Sequence, residues 1–66
     1  MRMVRFRRPG YDGEHAEVSV NPALVTHVLP YTPGNCRIHF GTGGEKDSVI
    51  VEGSLNAIEA DLIRSG

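Results

Sequence analysis

A chain of 66 residues allows one small domain, 1–66, and at this size only about 60% of the unfolded surface is buried on folding. Seven Lys and Arg stand against eight Asp and Glu, a net charge of −1, which weighs against wholesale nucleic-acid binding. The single cysteine, Cys36, excludes an internal disulfide, and no apolar run approaches the ~20 residues of a membrane span.

The start also lacks the apolar core of a signal peptide, because arginines interrupt it. The expectation is a soluble, cytoplasmic protein. A core of this size supplies only about 3–5 kcal/mol, so self-association is the simplest source of further buried area.

Met1 to Arg7 reads as a strand, with Val4 and Phe6 on one face and Arg5 and Arg7 on the other. Arg8 to Gly13 contains Pro9-Gly10 and Asp12-Gly13 and reads as a turn-rich loop. A second strand begins at His15 or Ala16, with Ala16, Val18 and Val20 inward. Asn21-Pro22-Ala23-Leu24 is a corner: Asn21 caps one helical turn begun by Pro22, and the turn tucks Leu24 under the sheet.

Val25 to Tyr31 returns to an extended form, but Val25, Val28 and Leu29 are all apolar. That spacing fits a strand covered on both faces or a bulged one. Pro33-Gly34 or Gly34-Asn35 reverses the chain. Cys36, Ile38 and Phe40 then alternate inward with Arg37 and His39 outward. Gly41 to Asp47 is a glycine-rich hairpin loop, and Ser48 to Glu52 is the last strand. Ser54 is a good N-cap for a helix over 55–64, whose Leu55, Ile58 and Leu62 form one apolar stripe.

The predicted fold class is therefore α+β and mostly β. Five short antiparallel strands form a strongly bent sheet or small open barrel, with one C-terminal helix packed on it. The predicted core is Val4, Phe6, Val18, Val20, Leu24, Val28, Ile38, Phe40, Val49 and Val51.

Four segments carry a further likeness: Val18 to Val25, then Val28-Leu29-Pro30, then Ile38 to Gly43, then Val49 to Ser54. Over residues 17–64 this order of strand, asparagine corner, strand, strand, glycine hairpin, valine-rich strand and helix resembles the small flagellar-operon proteins of the FlbD type. The resemblance implies a non-enzymatic accessory or regulatory protein that binds another protein, and no flagellar role is carried over with it. The arginine-rich start, the Pro9 to Glu14 loop and the Thr42 to Asp47 hairpin depart from that pattern. Leu24 to Leu62 also resembles one repeat of LytTR-type DNA-binding domains, through the same succession of elements.

The residues offer few candidates for chemistry. His15, His27 and His39 lie twelve apart and lack the short paired spacing of a metal motif. They read as polar positions on a sheet, although adjacent strands could bring His27 beside His39. Cys36 alternates with core positions, so it reads as a small buried hydrophobe rather than a nucleophile. Gly41-Thr42-Gly43-Gly44 lies between strands, whereas a phosphate-cradling loop opens a helix. Asp12, Glu14 and Glu17 lack the ligand spacing of a calcium loop. No catalytic, cofactor or metal residue is predicted, nor a cofactor.

The remaining candidate is basic. Arg2, Arg5, Arg7 and Arg8 crowd residues 1–8 with no acid among them, and Arg37 projects from a later strand. Together they form a candidate anion- or partner-binding face, with Tyr11 and Tyr31 as stacking surfaces. Pairing with Glu17, Glu45 or Glu52 across strands would neutralise it. The expected function is a non-enzymatic interaction module that binds a protein partner through a sheet edge or this face, with self-association. The alternative is a small nucleic-acid-binding β-barrel using the arginine cluster. A metal-dependent or cysteine-based activity is the third and least favoured reading.

Overall fold

The computed structural model describes residues 2–65; Met1, placed in the first predicted strand, lies outside them. Strand β1 (Val4–Arg7) pairs antiparallel with β2 (Glu17–Val20). The register sets Val4 against Val20 and Phe6 against Val18, so one face of this ribbon is wholly apolar. The residues 13–16 differ from the expectation of an early strand start. They form a 3-10 turn, Gly13–Ala16, that rotates Ala16 into the core before β2 begins. The Arg8 amide donates to the Ala16 carbonyl and closes the ribbon there.

The corner forms as its residues dictate. Asn21 Oδ1 accepts from the Ala23 amide at 3.0 Å, and Pro22–Leu24 makes one 3-10 turn. Its outcome for Leu24 corrects the prediction. A three-residue turn rotates Leu24 outward, where it is 62% exposed. It is pinned there because its carbonyl accepts from the Gly41 amide.

Three strands follow: β3 (Val25–Pro30), β4 (Asn35–Phe40) and β5 (Ser48–Glu52), in the order β3-β4-β5 and antiparallel throughout. The open choice over β3 is settled by a bulge. Val25 opposes Phe40 while His27 opposes His39, so Thr26 is the extra residue. Its hydroxyl donates to the His39 carbonyl at 3.1 Å. The bulge puts Val25 and Val28 on the same face, both against the core. Leu29 is left outside.

On the inner face Val28, Ile38 and Val49 form one cross-strand row, and Cys36 opposes Val51 in the next. On the outer face the rows are His27–His39–Ser48 and Leu29–Arg37–Ile50. The apolar stripe of α1 (Leu55–Ser65) closes the inner face, with Ile58 and Leu62 buried beside Phe6, Val20, Cys36, Ile38 and Val51. Ser54 Oγ caps the helix by accepting from the Ala57 amide at 3.2 Å. The two sheets stay unclosed: β1 runs beside β5 with no ladder between them among the described residues. The result is a bent, open arrangement with one helix, mostly β.

The β4–β5 hairpin is held by one carboxylate. Asp47 accepts from the Thr42 hydroxyl at 2.7 Å and from the Thr42 amide at 3.3 Å. The hydroxyl bond first, then the amide bond, holds the Asp47 carboxyl below its ordinary 3.8. A depressed folded pKa gives a contribution that is present above pH 3.8 and fades as pH falls through the lower folded value. In an NMR titration the Thr42 amide of the native chain should move with a midpoint below 3.8, and Asp47→Ala should lose that step. A midpoint at or above 3.8 contradicts the bonding described.

Candidate binding face

The five candidate arginines do not form one open cationic surface. Arg5 Nη1 lies 3.8 Å from Glu17, a diagonal neighbour on β2. Arg7 Nε lies 3.8 Å from Glu52 and ties the β1–β2 ribbon to β5. Arg37 Nη1 lies 3.4 Å from Glu45. The three glutamates predicted to neutralise the face are the three that do so. The Arg5 and Arg7 pairs are exposed and contribute about 0–1 kcal/mol each, so their main effect is on the field. Arg2 and Arg8 have no carboxylate partner among the described residues.

Arg8 and Arg37 nevertheless share a feature. Each guanidinium lies over a tyrosine ring, Arg8 at 3.9 Å from the Tyr11 centroid and Arg37 at 4.9 Å from that of Tyr31. Tyr11 and Tyr31 line a hollow of about 420 Å³ with Arg8, Pro9, Val49 and Ile50. Arg37 backs the Tyr31 wall and opposes Ile50 in the sheet register.

The local chemistry explains why both tyrosines arrive here. Arg8-Pro9-Gly10-Tyr11 and Thr32-Pro33-Gly34-Asn35 each put proline second and a positive-φ glycine third, Gly10 at 84° and Gly34 at 83°. That is the type II turn pattern. The first turn brings Arg8 and Tyr11 together. The second closes through Asn35 N–H to the Thr32 carbonyl at 2.9 Å and leaves Tyr31 at the end of β3. The repeated Pro-Gly was the signal in the sequence. That two such turns meet over β5 was not readable, since it depends on how the sheets abut.

The histidines divide. His15 is exposed, whereas His27 and His39 are opposite in register with rings stacked at 4.3 Å. His39, expected outward, is 5% exposed because Gly43 and Gly44 fold over it. Its Nδ1 donates to the Gly43 carbonyl at 3.0 Å, and its Nε2 is buried without a partner among the described residues. Cys36 is on the opposite face of β4, 1% exposed, with its thiol donating to the Gly53 carbonyl at 3.4 Å. The trio His27, His39 and Cys36 is thus not convergent. No group of three or more His, Cys, Asp or Glu placed to hold a metal occurs among the described residues.

The open edge of the three-stranded sheet is blunted. Tyr31 donates to the Asn35 carbonyl, so by alternation Val28 and Pro30 turn their backbone groups away from β4. Pro30 has no N–H to offer and the bulge at Thr26 twists the other end. No helix among the described residues is long and apolar enough to cross a membrane.

The chain matches no family model, no curated protein and no solved structure.

Proposed function

We propose that the chain is a non-enzymatic interaction module that holds a protein partner in the hollow over β5. The observation that supports it is the pair of arginine–tyrosine stacks bracketing a floor made by the outer face of β5, Ser48 and Ile50. Tyrosine and arginine are the residues that most often dominate protein interfaces. Each ring here is held by a guanidinium, so less side-chain freedom is lost on binding. The blunted edge of β3 favours this face over strand addition.

Capture from the native host should retain one partner on the wild-type chain and lose it on a Tyr11→Ala/Tyr31→Ala variant. A weakening of roughly 30-fold or more is expected, the ~2 kcal/mol of an interface hot spot. Equal capture by both chains sinks the reading.

The exposed tyrosine faces also support a second reading, capture of single-stranded nucleic acid by base stacking. Its charge contribution is small, because Glu17, Glu52 and Glu45 offset Arg5, Arg7 and Arg37. With Arg2 and Arg8 as the phosphate contacts, log affinity should fall against log salt with a slope of about −1.4. Absence of oligonucleotide binding at low salt removes this reading.

A further inference from the structure

We infer that the hollow over β5 takes a carboxylate side chain of the partner protein, an aspartate or a glutamate, on the Arg8 guanidinium. The inference rests on that hollow being the partner site. Arg8 is the one charged residue that lines it, and no acidic residue does so among the described residues.

The hydrogen bonds of Arg8 define what it can still hold. A guanidinium carries five N–H donors in a rigid planar fork. Arg8 uses the edge made by Nε and Nη2 within its own chain, where both donate to the His15 carbonyl, Nε at 3.0 Å. These bonds and the Tyr11 ring, with its centroid 3.9 Å away, fix the group in place. Stacking covers a face of the guanidinium and leaves its edges open. The end made by Nη1 and Nη2 thus keeps N–H groups with no partner among the described residues. A carboxylate matches that end, because its two oxygens meet two parallel N–H groups. Arg8 is already half-buried and ordered, so little side-chain freedom is lost when the fork is filled.

Charge selects one carboxylate over a string of phosphates. Arg5, Arg7 and Arg37 each face a glutamate of their own chain, whereas Arg8 has no carboxylate partner among the described residues. Arg2 also lacks one, but it does not line the hollow. Arg37 backs the Tyr31 wall, and Glu45 at 3.4 Å offsets its charge. The hollow therefore presents one uncompensated positive charge, which one carboxylate balances. A nucleic-acid strand would bring a negative charge with every nucleotide to a chain whose net charge is −1. Ile50 and the two tyrosine rings give the methylene stem of an acidic side chain an apolar surface to lie on.

The chain has two tyrosines and no tryptophan. Both tyrosines line this hollow, so intrinsic tyrosine emission reports on it alone. The blocked peptide acetyl-Leu-Glu-Leu-amide should change that emission saturably. Its isosteric glutamine counterpart should bind about tenfold more weakly, for want of the charge-assisted bonds. Arg8→Gln should erase the difference between the two peptides, and Arg5→Gln should keep it, since Arg5 does not line the hollow. The peptide comparison on the native chain needs no variant, so it decides the matter even where Arg8→Gln loosens the β1–β2 loop. Equal binding of the two peptides, or a preference for glutamate that survives in Arg8→Gln, overturns the inference. Tighter binding of a short oligothymidine than of the glutamate peptide overturns it too. In the capture from the native host, a partner lost on Tyr11→Ala/Tyr31→Ala but kept on Arg8→Gln would leave the partner site standing and remove the carboxylate.

Discussion

Ile38→Ala should leave most of the chain unfolded at room temperature. Ile38 is wholly buried at the centre of β4, flanked in register by Val28 and Val49 and covered by the helix stripe. Cutting a buried isoleucine to alanine costs about 2–5 kcal/mol, and a core of this size supplies about 3–5 kcal/mol in all. The two ranges overlap, so one residue can consume the whole margin.

Ile63→Ala is the matched control. The same atoms are removed from a site that is 70% exposed, and the change should stay within about 0.5 kcal/mol. Urea unfolding followed by circular dichroism compares them directly. If Ile38→Ala unfolds at nearly the native midpoint, the core is not centred on β4.

The reason this contrast can be drawn from position alone is also the reason much of the fold was readable. Val4 and Phe6, then Cys36 and Ile38, alternate with polar residues, and a strand of period two has only one way to bury them. The helix stripe Leu55, Ile58 and Leu62 follows from its own period in the same way. Glu17, Glu45 and Glu52 were legible as arginine partners because short strands leave few carboxylates within reach.

What escaped was direction set by irregular backbone. Leu24 ends a 3-10 turn, where the rotation per residue differs from that of a strand and the inside–outside phase shifts, and it leaves the predicted core. Ala16 also ends a 3-10 turn, yet it is buried, as its place in the sequence predicts. Thr26 shifts the phase again as a bulge, and nothing in Val25-Thr26-His27-Val28 says which residue is the extra one. His39 obeys its strand and faces away from Ile38, yet it is buried because the hairpin loop that follows β4 folds back over it. The candidate face suffered the same limit. The five arginines were read as one face with Tyr11 and Tyr31, but only Arg8 and Arg37 stack on those tyrosines, while Arg5 and Arg7 pair with Glu17 and Glu52.

Gly53→Ala should be the most damaging change outside the buried side chains. Gly53 links β5 to α1 with φ at +136°, a backbone region that side-chain-bearing residues rarely enter. Holding alanine there costs on the order of 1–3 kcal/mol. The new Cβ would also stand 3.1 Å from Ile58 Cγ1 and 3.3 Å from its Cδ1. Ile58 is buried under the sheet, so neither side has room to yield.

The backbone at Gly53 is tied from both directions. Its amide donates to the Gly34 carbonyl at 2.8 Å, and its carbonyl accepts from Cys36 Sγ at 3.4 Å. Relaxing φ would break the link that seats the helix. The backbone and crowding contributions can be separated in a double-mutant cycle with Ile58→Ala. Crowding should vanish once the isoleucine is gone, so the Gly53→Ala penalty should shrink but keep its backbone share. An undiminished penalty would assign the whole effect to φ. A Gly53→Ala chain that melts with the native one would mean that the helix is not seated through this residue, and the helix would then have to be held by its apolar stripe alone.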